Sequence, residues 1–377
     1  MFKKIFITTV FVSVMLLGQD KAKRHEFEII TKVPATEVKS QDKTGTCWAF
    51  ATASFLESEL LRMNKGKFNL SEMFIARKAY DYKTEKYFRY HGDYNMNEGG
   101  QAHDFLIEME ENGLIPESAY SGLKPGDKKH NHSEMWSVMK GIMDAVVKKK
   151  VMQTESVWPE LIQTTMDLYL GKIPNEFEYE GKKYTPKEFK EYLGLNKDDY
   201  IEFTSYTNYP YYEAVDLEVP DNYRHELYYN LPLEEFMEVI NYALNNGYSV
   251  DWDGSVVKPD FDKKKGYGIV HADESENDEE ENDKTAPEVE KVITVELRQQ
   301  YFDNYKVNDD HLMHVTGLAK DQAGTKFYYT KNSWGTDEKG FDGYYYLSES
   351  YMRLRTMAIM VHKDAIPEKI MAKLKKD

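Results

Sequence analysis

The chain has 377 residues and a formal net charge of −16, which argues against nucleic acid or an anionic membrane surface as a partner. A single cysteine, Cys47, excludes a scaffold built on intramolecular disulfides, even in an oxidising compartment. The length allows a substantial core, arranged as one elaborated domain or as two closely packed lobes.

Residues 1–19 have the pattern of an export signal. Lys3 and Lys4 form a charged start, residues 5–17 form an apolar core, and Gly18 is a small residue suited to cleavage. The apolar run is too short to span a bilayer, although an uncleaved anchor is the alternative interpretation. We therefore expect an exported protein, periplasmic or secreted, that is free of the membrane once it has been processed.

Residues 20–123 predict a mostly helical lobe. Apolar positions recur with helical spacing over residues 47–63, so the cysteine stands at the start of a helix. Further helices are predicted at residues 71–80 and 101–112. This part of the chain is expected to form one wall of a cleft.

Residues 124–229 combine helical and aromatic patterns. Apolar residues, several of them Met, have helical spacing in residues 133–154, and a capping-box start predicts a short helix at 185–194. A Tyr-rich run at 206–212 has two interpretations, packing in the core or contact with a ligand in a neighbouring cleft.

Strand patterns dominate residues 230–377, after a helix predicted at 232–245. The predicted strands are residues 248–252, 292–296, 312–318, 327–331, 343–347 and 358–362. The run at 273–290 is rich in Asp and Glu and poor in apolar side chains, which predicts a flexible, solvated loop. Calcium binding is the alternative, but the run has no ordered Asp-x-Asp-x-Asp-Gly pattern. We expect this β-rich lobe to form the opposite wall of the cleft.

Cys47 lies in a local pattern suited to a reactive thiol. Gln41 precedes it by six positions, and Trp48, Ala49 and Phe50 follow it directly. A thiol at a helix N-terminus meets unpaired N–H groups and a partial positive charge, which favour the thiolate. The alternative is a small, buried apolar residue. Because an unpaired cysteine is unusual in an exported protein, the interpretation as a reactive thiol is favoured.

Candidates for a base and its partner lie far along the chain. Asp310 precedes two histidines, His311 and His314, which are three residues apart and would point to opposite faces of a strand. Only one of them can then meet the thiol, and strand geometry alone does not say which. Asn332 and Trp334 belong to a later Lys-Asn-Ser-Trp-Gly run, which would otherwise be an ordinary turn.

Two further pairs of residues have both a structural and a functional interpretation. Gly99 and Gly100 could form a turn, or they could offer bare backbone to an extended ligand. His130 and His132 lie in a polar run without a second pair of metal ligands. We interpret that run as a solvated loop and predict no metal site.

Together these motifs resemble the papain-like cysteine peptidases, in the branch that includes bleomycin hydrolase and aminopeptidase C. The matching stretches occur in the family's order, and they are residues 41–50, 70–74, 97–101, 309–321 and 331–335. The resemblance implies an α+β fold of two lobes, with the nucleophile on the helical lobe and the histidine on the β-rich lobe. Residues 124–229 are then a large, mostly helical insertion relative to the small members of the family.

The resemblance also implies a role for each candidate residue. Cys47 corresponds to the nucleophile, and the Gln41 side chain, with the Cys47 main-chain N–H, corresponds to the donors that bind the oxyanion. The family motif places the catalytic histidine directly after Asp, which selects His311. Asn332 corresponds to the residue that orients the imidazole, and Trp334 to the residue that shields their hydrogen bond from water.

The implied function is hydrolysis of peptide bonds without a cofactor, with Gly99 and Gly100 in contact with the substrate backbone. An aminopeptidase is expected, since in this family a C-terminal tail with its terminal carboxylate restricts cleavage to the substrate's N-terminus. The tail here is short and rich in Lys, so endopeptidase activity is an alternative. Acyl transfer to an amine and a non-catalytic peptide-binding module are further alternatives. The family also implies a homohexamer.

Overall fold

Helices come first along the chain and strands dominate its second part in the computed structural model, which describes residues 25–124, 126–150, 156–272, 289–336 and 340–374. The described helices are α1 (Cys47–Arg62), α2 (Glu72–Arg89), α3 (Ala102–Asn112), α4 (Ser133–Lys149), α5 (Trp158–Leu170), α6 (Pro186–Leu193), α7 (Leu233–Asn245), α8 (Val295–Asp303), α9 (Glu349–Arg355) and α10 (Glu368–Met371). The described strands are β1 (Glu28–Lys32), β2 (Phe177–Tyr179), β3 (Lys182–Tyr184), β4 (Tyr200–Thr204), β5 (Ala214–Asp216), β6 (Leu227–Asn230), β7 (Val250–Gly254), β8 (Phe261–Asp262), β9 (Tyr267–Gly268), β10 (His311–Lys320), β11 (Lys326–Lys331), β12 (Tyr344–Ser348) and β13 (Thr356–His362).

Helix α1 lies at the border between the helical part and the sheet. Every residue from Cys47 to Leu60 is buried, so the helix has no solvated face along most of its length. It packs against α2 and α3 on the helical side and against β7 and β10 of the sheet. A helix that is enclosed in this way holds its N-terminus in a fixed position, and Cys47 is that terminus.

Strand β10 is central in a large mixed sheet. It pairs antiparallel with β7, β11 and β1, and all of its residues except the last are buried. Leu312 packs with the core of the helical part, whereas its neighbour Met313 packs with the core that contains α7. Burial on both faces explains why apolar residues of β10 are adjacent in pairs, as at Leu312 and Met313, rather than alternating with exposed polar residues.

The sheet includes strands from outside the predicted β-rich lobe at residues 230–377. In the described chain its order is β5-β6-β4-β13-β7-β10-β11-β12-β9-β8, with β1 added at β10. The structure therefore differs from the predicted boundaries in two places. Strand β1 belongs to the sheet although residues 20–123 were expected to form a helical lobe, and residues 200–230 of the insertion also join the sheet. Within the insertion, the helical part is α4 to α6, with a hairpin of β2 and β3.

One expectation for a short segment is wrong, and one of the two interpretations of the Tyr-rich run is supported at its first residue. The predicted strand at 292–296 is the start of α8, because the Thr294 side chain accepts a hydrogen bond from Leu297 N (3.1 Å) and caps the helix. The β-branched residues near this cap imitate a strand pattern. The first residue of the Tyr-rich run, Tyr206, packs in the core. It is buried and stacks on Phe302 with ring centroids 4.1 Å apart.

Two predicted segments lie outside the described residues, the export signal at 1–19 and nearly all of the acidic run. The residues that flank the acidic run are close together. Ala272 N donates to Val289 O (2.9 Å), and His271 forms a β-bridge with Glu290. Among the helices that the structure describes, none is long and apolar enough to cross a bilayer.

Candidate active site

Cys47 is the first residue of α1 and lies beside the start of β10. Thr46 is the helix cap, and its carbonyl accepts the first turn's hydrogen bond from Ala49 N (3.0 Å). The thiol is within hydrogen-bonding reach of the main chain of Leu312, the residue that follows His311. Helix α1 and strand β10 therefore bring the predicted nucleophile and the predicted base to one place, although 264 positions separate them (311 minus 47).

His311 is held by the turn that follows β11. Its Nε2 donates to Asn332 Oδ1 (2.8 Å), which leaves Nδ1 as the basic nitrogen of the ring. The imidazole stacks on the Trp334 indole, with centroids 4.9 Å apart. Both His311 and Asn332 are buried. The hydrogen bond to Asn332 fixes the tautomer and the orientation of the imidazole ring. The Trp334 indole covers that hydrogen bond.

Burial shapes the protonation of both groups. It raises the pKa of the Cys47 thiol to about 12, and the carboxylates of Asp221 and Asp253 act in the same direction. Burial also lowers the pKa of His311 to about 4, although the hydrogen bond with Asn332 acts to raise it. The resting cleft thus favours an uncharged thiol and an uncharged imidazole. Proton transfer between them creates two opposite charges that stabilise each other.

Hydrogen bonds with Thr44 and Ser333 hold Gln41 in the loop before α1. Its Nε2 donates to Thr44 O (2.7 Å), its Oε1 accepts from Ser333 Oγ (2.6 Å), and its main-chain N donates to Ser333 O (2.8 Å). The side-chain amide has a second N–H, as a donor to an oxyanion requires. Ser333 also donates its main-chain N–H to Asn332 Oδ1 (2.7 Å). One turn therefore positions both the orienting asparagine and the amide donor.

His314 has different surroundings from His311. It is buried, its Nδ1 is 2.8 Å from Ser54 Oγ, and Lys331 Nζ donates to the same hydroxyl (2.8 Å). Burial and the nearby Lys331 keep the pKa of His314 well below its usual range. The environment is that of a packed polar group behind the cleft.

Residues of the helical part hold the loop that precedes Cys47 in place. Glu98 accepts a hydrogen bond from Gly45 N (2.8 Å), and its carbonyl accepts from Trp48 Nε1 (3.0 Å). His132 Nδ1 lies 3.5 Å from the Glu98 carboxylate, and both His130 and His132 are buried. The interpretation of these histidines as a solvated loop is therefore wrong, since they pack behind the loop that ends at Cys47. Within the described ranges, no group of three or more His, Cys, Asp or Glu residues could hold a metal ion.

Gly99 and Gly100 lie between Glu98 and α3, and neither has room for a side chain. A Cβ on Gly100 would stand 2.9 Å from the Trp48 indole, and one on Gly99 would fall on the Asp221 carboxylate. The main chain of Gly99 is already engaged, because its N–H donates to Asn97 Oδ1 (2.9 Å) and its carbonyl accepts from Lys83 Nζ (2.5 Å). Contact of these glycines with a substrate stays a prediction.

Sequence reasoning missed three groups of this site. Ser333 and Glu98 lie inside the matched stretches, so their motifs contained a signal for them. Asp221 had no such signal, because it is in a Pro-Asp-Asn turn of the insertion and reaches Gly99 only through the fold.

A buried thiol at a helix N-terminus, packed against a strand that begins with an imidazole held by an asparagine, is the arrangement of a papain-like cysteine peptidase. A model of the Peptidase C1-like family matches residues 7–377. Aminopeptidase W of Lactobacillus delbrueckii subsp. lactis is 23% identical, over 90% of this chain and 83% of its own. Aminopeptidase C of Lactococcus lactis subsp. lactis (strain IL1403) is 23% identical, over 96% and 88%. The chain belongs to the Peptidase C1-like family.

A solved structure supports the same fold. The crystal structure of PepW from Lactobacillus rhamnosis HN001 superposes with a TM-score of 0.68, at 18% identity, over 92% of this chain and 84% of that one. The protein therefore has the α+β papain-like fold. As a peptidase of this family it acts on peptides.

Proposed function

We propose that the protein is an aminopeptidase in which Cys47 is the nucleophile and His311 the general base. The observation that carries the proposal is the hydrogen bond from His311 Nε2 to Asn332 Oδ1 (2.8 Å), beside a helix N-terminus that bears the thiol. That bond leaves His311 Nδ1 to take the thiol proton. The Cys47 sulfur then attacks the carbonyl carbon of the substrate's first residue.

The remaining groups act on the charge that develops. The Cys47 main-chain N–H and the second N–H of Gln41 Nε2 would bind the oxyanion, a contribution of about 3 kcal/mol for one such donor. His311 then gives its proton to the leaving amine and the C–N bond breaks. In the second half, His311 takes a proton from water, which attacks the thioester and releases the amino acid and the free thiol.

Cleavage from the N-terminus is supported by the relatives. Those cited above are called aminopeptidases, and they align over most of this chain. Endopeptidase activity is the competing proposal. A pair of peptides that differ only by acetylation of the α-amino group separates the two. We expect the free-amine peptide to be cleaved and the acetylated one to resist, whereas comparable rates would identify an endopeptidase.

The chemistry itself has a direct test. An epoxysuccinyl inhibitor should label Cys47 in the folded protein at neutral pH, because only a reactive thiol is alkylated efficiently. Mass spectrometry of the digested protein locates the label, and Cys47→Ser is the matched control. A folded protein that takes up no label and cleaves no peptide would exclude the peptidase mechanism.

Export and assembly are also part of the proposal. Residues 1–19 carry the charged start and apolar core of a signal, and they support export to the periplasm or the medium, free of the membrane after cleavage. N-terminal sequencing of the fractionated protein tests this, and retention of Met1 in the cell interior contradicts it. The family resemblance supports a hexamer, which light scattering distinguishes from a monomer, whose mass is 44.2 kDa before residues 1–19 are removed.

A further inference from the structure

The Asp221 carboxylate stands over Gly99 at the edge of the proposed cleft. Asp221 lies between β5 and β6, far in sequence from the glycine pair. A Cβ built on Gly99 falls on Asp221 Oδ2 and lies 2.8 Å from Oδ1. Glycine is therefore required at position 99 to admit this side chain rather than to form a turn, since no unusual φ is found there.

The carboxylate is fixed through one oxygen. Asp221 Oδ1 accepts from the side-chain amides of Asn95 and Asn97, both at 3.2 Å. The main-chain N–H of Asp221 donates to Asp309 Oδ2 (2.8 Å), which anchors the turn itself. Among the hydrogen bonds formed within the described parts of the chain, none ends on Oδ2. The side chain thus has a set orientation and an oxygen available to a further partner.

The charges around Asp221 favour a cation there. The neighbouring carboxyl groups are Asp309, Asp253 and Asp310, and the pKa of each is raised by burial and by the other carboxylates. Lys83 is a cationic side chain that interacts with Asp221, and its Nζ is engaged by Asn97 O (3.0 Å), Asn97 Oδ1 (3.2 Å) and Gly99 O (2.5 Å). All three donors of Lys83 have partners, so the site keeps negative charge that Lys83 does not pair directly.

Asp221 also acts on Cys47 electrostatically and covers the backbone of Gly99. Its charge raises the pKa of the Cys47 thiol, so the carboxylate acts on the nucleophile. The hydrogen bonds of Gly99 with Asn97 and Lys83, together with the carboxylate above it, occupy the backbone that an extended peptide would pair with. A substrate with a residue before the scissile one meets this obstacle.

The described tail does not supply a carboxylate to the cleft. Lys369 pairs with Glu238 (2.8 Å) and Lys373 with Glu235 (2.6 Å), and both carboxylates belong to α7. Ile370 is buried in the same core. Up to Leu374 the tail is thus fixed on α7.

We propose that Asp221 Oδ2 pairs with the α-ammonium group of the substrate's first residue and that its side chain closes the cleft beyond that residue. This inference rests on the aminopeptidase function proposed above and names the group that sets its end-specificity. A carboxylate with one oxygen fixed by two amides presents the other oxygen to a primary ammonium as a charge-assisted hydrogen bond.

Asp221→Asn is the principal test, because it removes the charge and nearly preserves the shape. We expect kcat/KM for an aminoacyl-amide substrate with a free amine to fall about 10- to 100-fold, mostly through KM. The rate on the N-acetylated counterpart should not fall, so the preference between the two substrates should shrink by that factor. Glu218→Gln, an exposed position in the same segment, removes one charge away from the site and is the matched control.

The pH profile gives a second readout, taken as the difference between the free-amine and N-acetylated substrates, because burial lowers the pKa of Lys83, which interacts with Asp221, to about 8. The α-amino group of a substrate has a pKa of about 8, so the pairing is lost above that pH and kcat/KM of the wild type should decline. In Asp221→Asn the decline linked to this amine should disappear. Asp221→Ala should in addition admit longer or N-blocked peptides, because the space over Gly99 opens.

The outcomes separate this proposal from the broader one. If wild type prefers free amines and Asp221→Asn keeps that preference while Cys47 is still labelled, Asp221 is not the ammonium partner and the aminopeptidase function stands. If the wild type cleaves acetylated and free peptides equally, the aminopeptidase function itself fails. Restoration of the preference in Asp221→Glu would support the role of the charge.

Discussion

His311 and His314 show how three residues of strand separate a base from a packed side chain. His311 Nε2 is bound to Asn332, while His314 Nδ1 contacts Ser54 on α1. Strand geometry turns neighbouring positions to opposite faces, so the two rings meet different parts of the molecule. The hydrogen bond of His311 leaves its Nδ1 free to act as the proposed base, whereas His314 Nδ1 is engaged by Ser54.

Replacement of the two histidines should therefore have different effects. We expect His311→Ala to lower kcat/KM by about 10²- to 10⁴-fold with little loss of fold. His314→Gln should keep turnover per active site, although its burial predicts some loss of stability. Steady-state kinetics normalised to titrated Cys47 distinguish the two. Full activity of His311→Ala would require another base.

Ser333 has a positioning role that a double-mutant cycle can test. Its hydroxyl donates to Gln41 Oε1 (2.6 Å), which turns Nε2 away from it. We expect Gln41→Ala to lower kcat about 10²- to 10³-fold, the usual loss for one oxyanion donor. Ser333→Ala should cause a smaller loss that disappears in the Gln41→Ala background, since both changes act through one donor. Additive losses would mean that Ser333 acts elsewhere.

At the scale of elements, the ends of the acidic run define a local prediction. Ala272 and Val289 are hydrogen-bonded and His271 bridges Glu290, so a short connection can join them at little cost in loop entropy. Replacing residues 273–288 with a Gly-Ser linker should leave turnover and the melting temperature nearly unchanged. Peptidase assays and thermal melts in EDTA and in calcium check this. A calcium-dependent loss would indicate a metal role for the run.

Local signals explain which elements could be predicted from the sequence. Helix α1 was predicted to within one residue at its end, because its periodicity and its cysteine motif are contained in a short stretch. Strands β4, β5 and β6 have three to five residues each and were missed, because β4 joins the sheet through β13, a distant part of the chain, and β6 and β5 are added in turn to β4.

The site residues also differ in whether local sequence motifs predict their positions. The positions of Cys47, His311 and Asn332 follow from motifs. In the structure His311 is hydrogen-bonded to Asn332, and the thiol lies beside β10. The contact of Asp221 with Gly99 spans 122 positions (221 minus 99) and depends on how the insertion folds back. Pairings of this kind leave no periodic pattern, so only the folded chain reveals them.

The whole molecule contains buried carboxyl groups that link its stability to pH. Burial raises the pKa of Asp251, on β7, to about 8, and that of Glu72 and Glu108 to about 7. Unfolded carboxyl groups have pKa values near 4. Between these values the folded chain holds protons that the unfolded chain releases, so the stability from these groups is complete below about pH 4 and is lost as pH rises through 7 to 8.

His311 contributes with the opposite sign in a lower pH range. Burial lowers the pKa of His311 to about 4, so below pH 6.5 the unfolded chain binds a proton that the folded chain refuses. This contribution to stability is lost as pH falls from 6.5 towards 4. The two effects therefore oppose each other below pH 6.5. Above pH 6.5 His103 acts in the same direction as the carboxyl groups, because the Glu202 carboxylate outweighs burial and raises the pKa of His103 to about 9, so only a comparison of a variant with wild type isolates one carboxyl group.

Asp251→Asn should reveal this linkage in such a comparison. The amide carries no charge at any of these pH values, so the variant lacks the cost that Asp251 acquires as it ionises. We expect the free energy of unfolding of the variant, relative to wild type, to increase from pH 6.5 to 8, with a limiting slope of about 1.4 kcal/mol per pH unit for one proton. Urea denaturation at several pH values measures the difference, and Glu218→Gln provides the exposed control. A difference between variant and wild type that does not change with pH would show that Asp251 is already ionised in the folded protein at pH 6.5.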